Sequence, residues 1–382
     1  MARLWLSVVL LAHPLSGNCW SQSQDKDRDI QILIKQGRGT REGRAAWERI
    51  VGGGPKLLPI LLKAMNTGDI VAANWLRTAF DQIADKEIKA GGKGIDVDGL
   101  LRFAKNGTHQ GRARRLALDL VEKLKPGTSL KLYPGWLDDP EFRFEAVALT
   151  LEEAKKSAKE DGKKTLEIYR KAFAASRDVG QARQAALGLQ NLGVKVSVGE
   201  HMGFLMDWYL IGPFDGMGMK GFHSQYPPEK EINLKGEYQG QGKKVRWIRH
   251  RVQEPPPTTG GGHQALVNLR QKDALGDADD AVALAYTEFL VDRAQVAEFR
   301  GAADDNFTIW VNGKKEFAFE EYRNGVRLDR HRFKVNLRAG KNTVLVKICQ
   351  TPAPNPEPNW EFFLRVVDDT GRGIVMKNTL AL

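Results

Sequence analysis

The chain has 382 residues, with 58 Lys+Arg against 47 Asp+Glu, a formal charge of +11 and 2 cysteines. At roughly 100–200 residues per domain, this length makes two or three domains, each able to bury a core without covalent staples. A hydrophobic share of 42% beside 27% charged residues excludes wholesale disorder, and two cysteines exclude a disulfide framework or a thiolate zinc site. The surplus of positive charge invites a nucleic-acid or membrane reading, so its position matters. Residues 1–200 hold 33 Lys+Arg against 24 Asp+Glu, whereas residues 201–382 hold 25 against 23. The surplus therefore sits in the first half, where Arg112, Arg114 and Arg115 form the densest short cluster. No nucleic-acid motif accompanies it, so the expected partner is an acidic protein or an anionic envelope component, not nucleic acid.

After Arg3, Leu4 to Leu15 (LWLSVVLLAHPL) is an apolar run of 12 residues. A membrane-spanning helix needs about 20 and a signal-peptide core about 7–15. The run predicts a signal peptide over residues 1–21, with Cys19-Trp20-Ser21 as cleavage site and no transmembrane span after cleavage. The alternatives are a retained anchor or a lipid attachment, since Leu15 to Cys19 resembles a lipoprotein box with Asn18 in place of a small residue. Export would place the chain in the periplasm or outside the cell. It would leave Cys349, in the alternating stretch Val344–Gln350, as the one thiol, packed instead of reactive.

From Asp29 to Val198 apolar residues recur at three- and four-residue spacing, the helical period. Leu57–Met65, Ala72–Ile83 and Leu116–Leu124 are examples. Polar turns leading into Ala/Arg-rich helices begin near Gly68, Gly107, Asp138 and Asp178, at spacings of 39, 31 and 40 residues. This resembles HEAT-type repeats, whose helix pairs recur every ~40–47 residues and stack into an α-solenoid with a concave binding face. A plain helical bundle is the alternative. Asp96-Val97-Asp98-Gly99 lacks the closing acid of a calcium loop and reads as a turn and helix cap.

Composition changes near His201. Residues 207–382 alternate β-branched and aromatic residues with polar ones, giving nine candidate strands: Trp208–Ile211, Val245–Arg251, Val282–Val291, Gln295–Arg300, Phe307–Val311, Glu316–Phe319, His331–Leu337, Thr343–Gln350 and Trp360–Asp368. Asn312-Gly313 is a type I′ hairpin signal, and Ala339 to Asn342 supplies a second turn. Trp208 to Asp215 opens the region with a Gly-Pro turn. Pro255 to Gly262 reads as a surface loop or linker. The fold class is thus multidomain, α then β, with an antiparallel β-sandwich as the second half.

The segments Ala302–Lys314 and Arg332–Lys347 resemble the strand-turn-strand elements of galactose-binding-like jelly rolls, including PA14 modules. The resemblance covers about residues 285–368 and implies a sandwich that binds sugars, binds proteins or braces neighbours. In some PA14 modules an Asp-Asp pair at this position holds calcium, which then holds sugar hydroxyls. Asp304 and Asp305 match that pair, although Asn306 stands where Gly is usual. The alternative is that the two acids tie down the turn before Phe307. Trp310, Tyr322 and Trp360 offer stacking surfaces, and alternation puts Trp310 on the face opposite Phe307, Ile309 and Val311. Trp208, Trp247 and Trp360 read first as core.

The candidate ligand-binding set is Asp304, Asp305, Asn306, Trp310, Asn312 and Tyr322, with Asp304 and Asp305 as a possible calcium pair. Glu320-Glu321-Tyr322-Arg323 and Asp329-Arg330-His331-Arg332 read as a solvated charged edge, and Asp277 to Asp280 as a loop. No phosphate loop, nucleophile elbow or metalloprotease motif is present, and the seven histidines show no ligand spacing. The expectation is an exported, non-catalytic binding protein whose sandwich takes carbohydrate and whose helices contact protein. An envelope scaffold, or an accessory module of a glycoside-processing system, is the alternative.

Overall fold

The computed structural model describes residues 18–36, 39–158, 161–257, 265–322, 325–350, 359–374 and 376–378. Residues 1–17 of the expected signal segment, Arg323, and residues 258–262 of the Pro/Gly-rich loop lie outside the described residues. No described helix is long and apolar enough to cross a membrane. Contacts divide the chain into two compact units, Met1–Ala146 and Val147–Leu382.

The first unit holds α1 (Asn18–Gln36), α2 (Arg41–Gly52), α3 (Leu58–Ala64), α4 (Ile70–Lys89), α5 (Val97–Lys105), α6 (Gly111–Leu124), α7 (Thr128–Leu132) and the start of α8 (Arg143–Ser157). Side-chain oxygens close the starts of α2, α4, α5 and α6, as the polar turns in the sequence imply. Asp69 accepts from the Val71 and Ala72 amides, and Asp96 from the Gly99 amide at 2.8 Å, which makes Asp96 the cap expected of it. Neighbours in sequence pack as pairs, α1 with α2, α3 with α4 and α5 with α6, around a core that includes Leu33, Ile50, Leu61, Leu76, Phe80 and Ala117.

The basic cluster on α6 corrects an expectation. Arg114 is buried, donating to Ala104 O at 2.8 Å and to both carboxylate oxygens of Asp139. Arg115 bonds Glu141 and Glu145, both at 2.6 Å, and lies over the Phe142 ring. Two of the three arginines are structural ties, and Arg112 alone of them is exposed.

The second unit holds the rest of α8, then α9 (Gly162–Ala175), α10 (Val179–Asn191), α11 (Val198–His201) and a sandwich. The change of secondary structure near His201 is therefore not the division in space. Ala182 and Ala186 of α10 and Val198 of α11 belong to the same core as Trp208, Phe299 and Trp360.

The strands are β1 (Asp207–Asp215), β2 (Glu237–Gln239), β3 (Lys244–Arg246), β4 (Ile248–Arg251), β5 (Val267–Asn268), β6 (Ala281–Val291), β7 (Gln295–Ala303), β8 (Phe307–Val311), β9 (Lys314–Phe319), β10 (His331–Leu337), β11 (Gly340–Cys349), β12 (Glu361–Val367) and β13 (Lys377–Asn378), with a short helix α12 (Pro227–Lys230). One sheet runs β4-β1-β6-β11-β8-β9 with β13 also on β6, and a second runs β10-β7-β12-β5. All pairings are antiparallel. Asn312 and Gly313 have φ of 53° and 80°, as a type I′ turn requires. Gly212-Pro213 is not a turn between strands. It is a cis peptide inside β1, where the register with β6 slips.

Alternation assigns the faces of the larger sheet. Trp208, Ala285, Ile309 and Val346 point into the core shared with the second sheet. Ile211, Leu284, Leu345 and Cys349 point the other way, where Phe222, Tyr226, Val245 and Trp247 join them. The segment 216–247 thus covers part of the outer face, and β6 and β11 read as nearly continuous apolar runs because much of both faces is buried.

One cation fastens this cover. Lys347, 3% exposed, donates from Nζ to the Phe222 and Ser224 carbonyls at 3.0 and 2.8 Å, and lies 3.2 Å from Glu229. The rings of Tyr226 and Trp310 flank it at 5.8 and 5.9 Å. On the second sheet Arg365, 2% exposed, grips the Asp329 carboxylate with Nε and Nη2, and Arg300 adds a contact at 3.3 Å. Asp329 was expected on a solvated edge; instead the loop before β10 folds it onto β12. Elsewhere Glu320 pairs with His223 and Glu321 with Arg330 at 3.0 and 2.7 Å, while the His331 ring packs on Phe317 and Phe319 instead of facing solvent.

Lys347→Ala is expected to lower the free energy of unfolding by about 3–5 kcal/mol, because it leaves Glu229 and two carbonyls buried without their partner. Urea unfolding followed by tryptophan fluorescence measures this, and a loss below ~1 kcal/mol would contradict the role given to the pair. Asp329 supplies a pH test. Burial raises its carboxyl pKa, but the Arg365 and Arg300 guanidiniums outweigh burial and hold it below the ordinary value. Its contribution to stability is complete above the unfolded pKa of about 3.9 and is lost as pH falls through the lower folded value. Asp329→Asn should therefore flatten the acid limb of a stability–pH curve, and an unchanged limb would refute the assignment.

Candidate functional site

The structure separates the residues nominated from sequence. Asp304, Asp305 and Asn306 form the β7–β8 turn at one end of the sandwich, where their exposures are 3%, 0% and 0%. The Asp304 amide donates to Glu361 O at 3.0 Å, and Asp304 O accepts from the Gly325 amide at 3.2 Å. Asn306 O accepts from the Cys349 amide at 3.0 Å, and the Asn306 side-chain amide makes no hydrogen bond of ordinary geometry. Tyr322 stands over this turn and donates from its hydroxyl to Met219 O at 3.0 Å, tying the cover to the β9–β10 loop. Burial raises the Tyr322 phenol pKa, and the nearby Asn306 side chain opposes the shift.

Asn312 lies at the far end of β8 and is a clamp between turns. It donates to Asn342 Oδ1 at 2.9 Å and accepts from the Thr343 amide at 3.0 Å, while buried Asn342 bonds back to Arg338 and Gly340. Trp310 lies on the outer face as its alternation requires, half-buried. Trp208, Trp247 and Trp360 are core residues.

Calcium takes six to eight oxygens. Among the described residues no three of His, Cys, Asp and Glu come together in a way that could hold a metal ion. Asp304 and Asp305 supply two carboxylates to a turn that is packed protein instead of an open groove. The acids at Asp277 and Asp279 are ion-pair partners of Arg270, at 3.3 and 3.1 Å. Burial pushes the Cys349 thiol up to about 12, which leaves it unreactive.

The residues that come together without being singled out as a group lie on the outer face of the larger sheet. Register aligns Arg249 with Tyr209, Tyr209 with Tyr286, Tyr286 with Leu345, Leu345 with Trp310, and Trp310 with Lys315. One row crosses all six strands of the sheet path from β4 to β9, with its middle, Tyr286 and Leu345, buried in the cluster under the cover. Trp247 meets Tyr286 edge-on at 6.3 Å, while Tyr209 and Trp310 are half-exposed. Burial pushes the Tyr286 phenol above its ordinary range, helped by Glu288, which accepts its hydrogen bond at 2.6 Å.

The next outer-face positions, Asp207, Arg251 and Glu288, border a cleft of about 290 Å³ whose walls include Phe204, Met206 and Ile374. Arg251 bridges Asp207 at 2.5 Å and Glu200 at 2.9 Å. The second unit thus offers two half-buried aromatic rings, Tyr209 and Trp310, and a cleft edged by paired charges. Apolar ring faces stack on the apolar faces of pyranoses, and carboxylates and guanidiniums bond their hydroxyls. Trp310 was legible as an outward residue from alternation alone, whereas the row required the register.

No family model matches the sequence, and no curated protein does. Similar solved structures include a family 35 carbohydrate-binding module from an environmental isolate, at 14% identity and a TM-score of 0.20, over 27% of this chain and 76% of the module. A GH2 β-galacturonidase from Eisenbergiella tayi matches at 11% identity and 0.24, over 43% of this chain and 25% of the enzyme. An anti-sigma factor domain-containing protein from Clostridium clariflavum matches at 10% and 0.24, over 45% of each chain. The matched part is thus a quarter of the hydrolase and less than half of the anti-sigma protein. Scores this low carry no argument about the activity of this chain.

Because Asp305 is wholly buried, Asp305→Ala is expected to cost about 1–3 kcal/mol of stability and to leave the affinity for any ligand bound on the sheet face within about twofold. Thermal melts and binding isotherms on the same preparation test this. Lost binding with unchanged melting would return the site to the turn.

Proposed function

We propose that the second unit is a carbohydrate-recognition module and that the chain is an exported, non-catalytic binding protein. The observation that carries this reading is the pair Tyr209 and Trp310, half-buried on the outer sheet face to either side of the covered Tyr286 and Leu345, with polar side chains beside them. A half-buried tryptophan among buried neighbours is held in one orientation, so little rotamer freedom is lost when a ring stacks on it. We read the sandwich as a jelly roll of the galactose-binding-like kind that binds through its sheet face and not through the Asp304–Asp305 turn. The helix pairs of the first unit we read as HEAT-like, with a protein partner in the envelope or outside the cell.

A glycan array probed with the purified full chain, with and without calcium, tests this reading. Binding is expected with either buffer, and Trp310→Ala and Tyr209→Ala should each weaken it about tenfold or more, as loss of ~1.4 kcal/mol of stacking would. An array that stays blank, or substitutions that leave binding intact, would refute the reading. Turnover of an aryl-glycoside panel would overturn the non-enzymatic part.

A further inference from the structure

The ends of the aromatic row carry charges that stacking does not require. Arg249 sits opposite Tyr209 on β4, and Lys315 opposite Trp310 on β9. Both are exposed. Among the described residues neither makes an ion pair or a side-chain hydrogen bond. Cations close by are already engaged: Lys341 bonds Glu288 at 2.7 Å, Arg251 bonds Asp207 and Glu200, and Lys347 is buried on Glu229. The two unengaged cations stand five strand steps apart, roughly 24 Å at about 4.8 Å per step, with the half-buried rings of Tyr209 and Trp310 between them.

We propose that this row binds an extended polysaccharide bearing carboxylates, a uronate-rich chain lying across the strands. Its rings rest on Tyr209 and Trp310, and Arg249 and Lys315 each take a carboxylate. The inference rests on the carbohydrate reading above and adds the charge and length of the ligand. The strand spacing is close to the rise of one ring in an extended glycan, so the row accommodates roughly five sugars. The planar guanidinium of Arg249 matches a carboxylate in two parallel hydrogen bonds, and Lys315 acts as a point charge. A single-stranded nucleic acid also stacks on aromatic rings, but it needs a continuous basic track along its phosphates. Here the middle of the row has none, and Glu288 lies beside it.

The test uses the purified full chain in calorimetric titrations against polygalacturonate, alginate and hyaluronan, the carboxyl-reduced form of each, and oligo-dT. At least one acidic polymer should bind about tenfold tighter than its reduced form at low salt and lose that advantage as salt rises. Arg249→Gln and Lys315→Gln should each weaken the acidic polymer by about three- to tenfold and leave the reduced form unchanged. Trp310→Ala should weaken both forms. Equal affinity for acidic and reduced polymers, with loss on Trp310→Ala, would overturn the proposal and keep the carbohydrate reading. No binding of any polymer would remove both. An acidic preference untouched by the Arg249 and Lys315 substitutions, or tighter binding of oligo-dT, would overturn the proposal.

Discussion

The second unit is organised around a buried ammonium. Lys347 points from a central strand into the space beneath the segment 216–247, where two carbonyls and Glu229 surround it. A charge in that place is costly unless every partner is present, so the cover has one arrangement in which the cost is met. Tyr226 and Trp310 pack on either side of the amine. The position of Trp310 is thus coupled to how the cover is seated. Everything attributed to the outer face depends on this, because the cover decides which part of the sheet meets water.

That division explains why a flat sheet can have a specific place on it. An uncovered apolar face would be a general aggregation surface, and a wholly covered one would be a core. Here the wall at Trp247 leaves one strip in which Tyr286 and Leu345 are buried and their neighbours Tyr209 and Trp310 are half-open. The strip runs perpendicular to the strands, so each side chain in it comes from a different strand. Its spacing is set by backbone hydrogen bonds and not by side-chain choice.

What was legible in the sequence follows from how local each signal is. The bounds of Phe307–Val311 and His331–Leu337 coincide with β8 and β10, because alternation and the Asn312-Gly313 turn are properties of adjacent residues. β2, β5 and β13 have two or three residues and too few positions to show a period, so they passed as loop. Asp304 and Asp305 drew attention through a family pattern, but whether a turn is open or packed depends on Glu361, Gly325 and Cys349, which lie further along the chain. The row is the extreme case, since it joins Tyr209 to Tyr286 and Trp310 to Leu345 through register. The same limit applies to charge. Arg114 looked like surface, and its partner Asp139 lies one helix further on.

Among the described residues β4 and β9 end the larger sheet path, the position at which another chain can add a strand. Arg249 and Arg251 stand on the first of these edges and Lys314 and Lys315 on the second. Charged side chains on an edge repel a like edge and keep it solvated, a common guard against sheet-to-sheet polymerisation. The side chains to which ligand contact is assigned therefore also guard the two edges of the sheet. Selection on either property would preserve them, so a chain of this kind that changed its ligand would still be held to cations at both ends of the sheet.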